Sequence, residues 1–466
     1  MNQSRRQGLL AFVREALAGT EQDFTQGSIG RAVALLAIPM VLEMSMESLF
    51  GFVDAIFVTQ LGKEAVATVG MTEAVLTLIF GVALGLSLST TAMVARRVGE
   101  KDDEGAAVAA VQSILLGVVV SVLTGIIGVM DSERILRMMG ADEEMVRRGA
   151  IYTATILGGS VTIFLLFLLN AIFRGAGDAS MAMRSLMVSN TINLILDPCL
   201  IFGLGPFPEL GLWGASIATT IGRGTGVAFQ LYILMTGKGR LHLHWRQFRL
   251  VPSVMWSLIR VSITGILQIQ IATASWLGMI RILATFGSAV LAGTTIAIRT
   301  IVVVILPAWG MSNAAATLVG QNLGAGKPDR AERSVWITGF YNMIFLGVIG
   351  LVFIIWPEQV LSIYQPEASM VPFGVACLRY VSYGYLFYAY GMVVVQAFNG
   401  AGDTVTPTYI NLFCHWLWQI PLAWGLSTPL GMGPTGVFLA ITIAESTVAA
   451  VGILLFRRGK WKQQKI

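Results

Sequence analysis

The sequence predicts an all-α integral membrane protein in which about twelve transmembrane helices form two parallel six-helix repeats, a V-shaped bundle of two lobes. Three observations carry this expectation. The 466 residues are 55% hydrophobic and only 12% charged, with mean hydropathy +0.73, whereas soluble domains average about 25% charged residues. Apolar blocks recur from Val33 to Phe456 with no hydrophilic domain between them. The two halves of the chain also align at one constant offset.

A bilayer core about 30 Å thick takes about 20 apolar residues as a helix. Such windows centre near residues 46, 82, 118, 161, 192 and 224, and again near 271, 306, 344, 385, 415 and 445. Short connections carrying Gly, Pro and charge separate them at 61–64, 99–104, 174–178, 203–210, 324–333 and 399–403, and the longest internal one is 237–252. The chain therefore divides into an amphipathic cytoplasmic segment (1–30), a first lobe (31–236), a cytoplasmic connection (237–254), a second lobe (255–457) and a basic tail (458–466).

The net charge of +5 sits in connections and at the ends, so it reads as orientation, with no nucleic acid partner. Arg5, Arg6, Arg14 and Arg31, then Lys238, Arg240, Arg246 and Arg249, then Lys327, Arg330 and Arg333, and finally Arg457, Arg458, Lys460, Lys462 and Lys465 share one side if the helix number is even. Both termini are then cytoplasmic, in a cell (inner or plasma) membrane. The connection at 131–148 puts four arginines on the other side, interleaved with acids, which weakens the bias without reversing it. The first 27 residues carry Glu15, Glu21 and Asp23 and no apolar core, unlike a cleaved signal, and are expected on the cytoplasmic membrane surface. Cys199, Cys377 and Cys414 lie inside apolar segments at no metal-like spacing, which indicates neither a disulfide scaffold nor a zinc site.

Gly85-Leu86-Ser87 matches Gly310-Met311-Ser312, Gly99 matches Gly324, and Gly175-Ala176-Gly177-Asp178 matches Gly400-Ala401-Gly402-Asp403, each 225 residues on (310 − 85, 324 − 99, 400 − 175). Gly62 and Gly287, and Ala67 and Ala292, keep that offset. Six helices, an even number, separate the copies, so both enter the membrane from one side. They are related by an axis along the membrane normal, with a cleft between the lobes. A repeat of this kind is typical of a transporter that rocks two bundles about a central site, yet function has to be argued from the site.

A charge at bilayer depth costs at least ~2.5–3.5 kcal/mol, so each intramembrane acid marks a candidate site until its partner is found. Glu43, Glu47 and Asp54 of the first window span eleven residues, which turn about 1100°, only about 20° past three full turns. The three carboxylates share one stripe about 16 Å deep. Lipid offers them no partner, so the stripe faces the lobe interior or the cleft, either as an ion site or as an internally satisfied polar network. In the fifth window Asn193 and Asp197 share a face, with Asn190 about 60° round and Pro198 following. An amide beside a carboxylate can bond it in either protonation state, which suits a group that gains and loses a proton or a sodium ion. The other reading is a polar kink capping a helix end near the surface. Tyr152 and Asn170 of the fourth window can contribute.

At the same offset Glu43, Glu47 and Asp54 become Gln268, Ala272 and Met279. The coupling ion is therefore expected in the first lobe, with the second supplying shape. The second lobe's polar inventory is Gln268, Gln270, Arg281, Tyr388, Tyr390, Gln396, His415, Trp416, Trp418 and Gln419. His415 reads as a hydrogen-bonded core residue or a proton carrier. Arg281 either snorkels to a membrane face or neutralises a first-lobe acid, and Glu445 has no evident partner. The 21 methionines and the second-lobe Trp and Phe residues suit a roomy site for bulky apolar cations, or generic membrane packing.

The two parallel repeats join a set of ordered motifs: Ile38-Pro39 through Val53-Asp54-Ala55-Ile56-Phe57-Val58, Leu61-Gly62, Ala65 through Gly70, Phe173-Arg174-Gly175-Ala176-Gly177-Asp178, and Asn193 through Leu196-Asp197-Pro198. Over nearly the whole length the chain resembles the multidrug and toxic compound extrusion (MATE) transporters, in particular the branch coupled through the first lobe. The resemblance implies a drug–cation antiporter driven by H⁺ or Na⁺, monomeric and without a cofactor. It implies a cation-coupling group of Asp54, Asn193 and Asp197, which would also form any Na⁺ site, with Tyr152 and Asn170 beside it. Glu43 and Glu47 are acids beyond that pattern and join the coupling candidates. Asn190, Gln268, Tyr388 and Trp416, with Tyr152 and Asn170, are the substrate-binding candidates. Ala272 and Tyr388 stand where another branch has second-lobe acids, so sodium coupling through the second lobe is not expected.

Two rivals remain. A lipid or lipid-linked oligosaccharide flippase of related two-lobe build calls for a large basic cavity, whereas the intramembrane charges here are mostly acidic. A membrane enzyme calls for clustered His, Ser or metal ligands, and the histidines are only His242, His244 and His415, the first two in the basic central connection.

Overall fold

The computed structural model describes residues 11–19, 22–464 and 466, apart from the side chains of 50, 52, 53 and 55. Arg5, Arg6, Glu21 and Lys465, counted above, and the side chains of Val53 and Ala55 lie outside the described residues. Among the described residues the long helices form twelve rods in chain order: α1 Ile29–Thr59, α2 Lys63–Gly99, α3 Asp103–Met130, α4 Glu143–Gly158 continued by Ser160–Ala176, α5 Ala179–Phe202, α6 Leu212–Thr236, α7 Pro252–Ala284, α8 Ser288–Gly324, α9 Pro328–Ile355, α10 Val371–Tyr383 continued by Tyr385–Gly400, α11 Val405–Asn411 continued through Leu412–Gln419 and Ile420–Ser427, and α12 Pro434–Arg457. Nine spans among the described residues are long and apolar enough to cross a membrane. Outside that set are α6, with four glycines, α10, broken in the middle, and α11, with His and Gln in its centre.

Local chemistry sets the helix ends. Asp102 accepts a 2.8 Å hydrogen bond from Gly105 N at the start of α3, and Asp142 does the same for Met145 N at the start of α4. Proline opens α7, α9 and α12, where its missing N–H costs nothing. The residues preceding α2 and α8 are Gly62 and Gly287, with φ of 97° and 105°, a region essentially closed to side-chain-bearing residues. The offset of 225 governs the irregularities too. Both α4 and α10 break at a glycine, Gly159 and Gly384 (384 − 159 = 225), and short helices begin at Ser132 and Pro357 (357 − 132 = 225).

Helices α1–α6 pack on one another, as do α7–α12, and the contacts between the halves come in symmetry-related pairs: α1 on α8 with α7 on α2, α1 on α9 with α7 on α3, and α2 on α10 with α8 on α4. At the crossing of α2 and α8 the backbones touch. A Cβ at Gly99 would lie 2.0 Å from Gln321 O, and one at Gly324 would lie 2.1 Å from Arg96 O; the four positions are again 225 apart in pairs (324 − 99, 321 − 96). Small residues bringing helices close replace the hydrophobic drive that lipid cannot supply. Ala106, Ala107, Ala109 and Ala110 of α3 are likewise buried against neighbours. The outward face of α3 shows Leu123, Ile126 and Ile127, side chains that suit lipid rather than water. The α2–α8 crossing lies at the end of the molecule that carries the segment before α1 and the C-terminal residues, since Lys327 donates to Thr25 O and Arg96 to Gln464 O. Toward the other end α2 is more exposed, at Glu64, Val66 and Leu78.

The amphipathic segment before α1 is tied to the rest of the protein by hydrogen bonds. Its described residues strap both lobes: Arg184 of α5 donates to Leu17 O and Ala18 O, Arg240 donates to Gln22 O, Lys327 to Thr25 O, and Arg330 to Phe24 O, Gln26 O and Gly27 O. Ala16 and Phe24 are buried. The central connection is pinned by Gln112 of α3, which donates to Arg249 O and accepts from Val251 N. Three of the four arginines at 131–148 are paired with acids, Arg137 with Glu133 and Glu143, Arg147 with Glu144, and Arg148 with Glu64 and Glu144. Arg281 is exposed near the end of α7, so it reaches a face of the molecule.

Candidate functional site

Two cavities adjoin one another. The first, about 240 Å³, is walled by α1, α2, α4, α5 and α6 and closed by Trp309, Asn313 and Gln396 of the second repeat. Glu43, Glu47, Asn170, Asn190 and Asn193 all line it, as the α1 and α5 stripes require. The second, about 500 Å³, lies inside the second lobe, and Gln268 and Tyr388 line it. Leu306, Trp309, Gln396 and Asn399 border both. Trp416 borders neither: its indole N–H donates to Ile271 O at 2.9 Å and the residue is exposed. Tyr152 is buried in the core of the first lobe, away from both cavities.

The buried carboxylates have partial partners. Arg174 Nη1 donates to Glu43 Oε1 at 2.9 Å, Asn170 Nδ2 donates to the same oxygen at 3.1 Å, and Gln230 Nε2 donates to Asn170 Oδ1 at 2.6 Å. Arg174 thus belongs to the interior of α4 and not to the connection in which its sequence position suggested it. Asn193 Nδ2 lies 3.3 Å from both Asp197 Oδ1 and Thr219 Oγ1, and Asn190 Nδ2 donates to Met46 O at 3.4 Å. Asp197 is buried within α5 rather than capping an exposed end. Asp54 and Asp197 do not line the cavity. They lie beyond Asn193, within electrostatic range of each other and of Tyr152. The candidates therefore divide into a cavity group around Glu43 and Glu47 and a deeper group of Asp54, Asp197 and Tyr152, linked by Asn193.

Several participants were absent from the sequence reading. Arg223 of α6 lines the first cavity within electrostatic range of Glu47 and Asp54, and Glu73 of α2 lies near Asp54. A lone Arg between two glycines in an apolar window was the available signal, because a cation at that depth needs an acid. Glu445, which had no evident partner, lies 3.4 Å from His415 Nε2. After pairing, Glu43 Oε2, Asp54 Oδ1 and Asp197 Oδ2 remain buried with no hydrogen-bond donor. Buried acceptors are seldom left so in folded proteins, and a proton or a small cation would satisfy each. Among the described residues no three His, Cys, Asp or Glu side chains converge as a metal cluster. In the second repeat the counterparts of Glu43 and Arg174 are Gln268 and Asn399 (268 − 43 = 225, 399 − 174 = 225), so one frame carries a charged pair in one copy and a neutral pair in the other.

A sequence profile of the family described as MatE matches residues 39–199 and 266–424, one stretch in each repeat. The chain is similar to the "Probable multidrug resistance protein NorM" of Thermotoga maritima, 24% identical over 94% of this chain and 94% of that one. It is similar to the "Probable multidrug resistance protein YoeA" of Bacillus subtilis, 24% identical over 96% and 97%. Among solved structures, a MOP superfamily transporter from Pyrococcus furiosus, described as having a binding pocket of reverse polarity, superposes with TM-score 0.88 at 26% identity, over 95% of this chain and 98% of that one.

Proposed function

This chain belongs to the MatE family of multidrug efflux transporters and is not an enzyme, and we propose that it exports organic cations in exchange for H⁺ or Na⁺ bound at Asp54 and Asp197. One observation carries the proposal: Glu43 beside the first cavity, and Asp54 and Asp197 beyond it, each keep a buried carboxylate oxygen without a donor. A group that stands ready to take a proton or a bare cation couples readily to a gradient, since its charge and its packing change together.

With both termini cytoplasmic, the α2–α8 interlock closes the cytoplasmic side and the protein faces outward. Asp54, Asn193 and Asp197 then receive the entering ion. Neutralising Asp54 and Asp197 removes the repulsion between them and lets α1 repack. Pro39 supports that role for α1, because it interrupts the helix hydrogen-bond ladder and permits a bend. Glu43 and Glu47 face Arg174 and Arg223, which favours a cation-handling, internally balanced cavity over the basic one a lipid flippase needs. The chain works as a monomer in the cell membrane.

Substrate efflux from proteoliposomes under separately imposed proton and sodium gradients tests this. One gradient alone is expected to drive efflux, and Asp54→Asn or Asp197→Asn to abolish the drive while leaving the protein folded. Intact gradient-driven efflux in both variants would overturn the assignment.

A further inference from the structure

The second cavity holds a titratable pair that the first-lobe mechanism does not use. His415 Nε2 and Glu445 Oε1 are 3.4 Å apart, with side chains 12% and 22% exposed, and both line the cavity. That separation exceeds the about 2.7–2.9 Å of a tight charge-assisted hydrogen bond, so the carboxylate is held without being saturated. His415 Nδ1 is buried with no partner, and so is Gln268 Oε1. His415 lies in a π-helical stretch of α11, Leu412–Gln419, the kind of local widening that accompanies functional side chains in helices. Its counterpart in the first repeat is Asn190 (415 − 190 = 225) and that of Glu445 is Thr220 (445 − 220 = 225), so the pair is peculiar to the second lobe.

The surroundings choose the ligand. Among the described residues no Lys or Arg lines this cavity, and Glu445 is the one carboxylate that does. The elements packed on α11 and α12 present His415 and Cys414 from α11, Tyr385 and Tyr388 from α10, and the neutral Gln268 from α7. The walls include Trp276, Trp309, Tyr385 and Tyr388, whose ring faces attract cations. At about 500 Å³ the space falls within the 300–1,000 Å³ typical of drug-sized ligand sites, whereas the first cavity at about 240 Å³ falls short of it.

We propose that the second-lobe cavity is a binding site for a lipophilic aromatic cation, with Glu445 as its anchor and His415 as a proton-controlled competitor for that anchor. A neutral imidazole leaves the carboxylate to the ligand. A protonated one pairs with Glu445 and cancels the charge the ligand needs. Cation affinity is therefore lower in the state that carries the protonated imidazole. The proposal takes its ligand class from the export reading but does not depend on the first-lobe coupling site.

Equilibrium binding of tetraphenylphosphonium to the purified full-length protein in nanodiscs, without any gradient, separates this from a failure of that coupling. The wild type is expected to bind at least tenfold more tightly at pH 8 than at pH 5.5. Glu445→Gln is expected to lose at least tenfold at pH 8, and His415→Asn to bind equally at both pH values. Unchanged affinity in Glu445→Gln, a pH-independent wild type, or an unaltered pH profile in His415→Asn would each overturn it. If Glu445→Gln aggregates on size exclusion, the His415→Asn profile decides alone.

Discussion

Substituting alanine for Gly99 tests whether the α2–α8 crossing is the contact that keeps the terminal end of the lobes together. The added methyl would lie 2.0 Å from Gln321 O, and real Cβ atoms essentially never approach another atom closer than 3.0 Å. The helices must therefore separate by at least 1.0 Å (3.0 − 2.0). The obstacle is a backbone oxygen, which no side-chain rotation can move aside. Overpacking of this kind costs about 1–3 kcal/mol, and here the cost falls only on the state in which α2 and α8 touch. A bias of that size shifts a two-state equilibrium by about 5- to 150-fold. Gly324→Ala, with its methyl 2.1 Å from Arg96 O, should act alike. The double variant should cost less than the sum, because one separation relieves both clashes. Spin labels at Glu104→Cys and Arg333→Cys, both exposed near the crossing, report the gap by double electron–electron resonance. A longer-distance population growing in each variant is expected. A distance distribution identical to that of the parent would refute the reasoning, since it would mean the methyl fits.

Other outcomes follow from the same contacts. Arg174→Ala strands Glu43 among buried groups and should cost about 3–5 kcal/mol, read as a lowered melting temperature in detergent; Glu43→Gln together with Arg174→Gln should recover part of the loss. Ala at Gly287, where φ is 105°, should destabilise the start of α8 by about 1–3 kcal/mol, whereas an unaltered melting curve would show that the turn can relax. Arg330→Ala removes the donor to Phe24, Gln26 and Gly27 carbonyls and should make the N-terminal strap cleavable by trypsin at Arg14 or Arg31. Burial raises the Asp23 carboxyl, but hydrogen bonds from Thr25 and Gln26 outweigh it and hold the group below the usual carboxylate range. With the folded value depressed, its contribution is present above the unfolded value of about 3.9 and is lost as pH falls through the folded one. Protection of the strap should therefore persist across neutral pH and fade only in strong acid, and Asp23→Asn should remove that acid dependence.

Much of the frame was legible in the sequence because its causes are local. Hydropathy over about 20 residues marks a span wherever the chain folds. A glycine needed for a positive φ or a backbone crossing leaves its mark at one position, so Gly62, Gly99, Gly287 and Gly324 disclosed the repeat without a structure. The inward stripe of Glu43, Glu47 and Asp54 follows from helical periodicity and the absence of partners in lipid. Partnership is another matter, since it depends on how helices distant in sequence are rotated and raised against each other. Glu43 meets Arg174 from 131 residues away, Arg223 turns toward the α1 acids from α6, and the π-helical stretch of α11 brings His415 to Glu445. Only the packed bundle decided which carboxylates are paired, which keep a buried oxygen without a donor, and that the larger cavity lies in the lobe the sequence marked as chemically quiet.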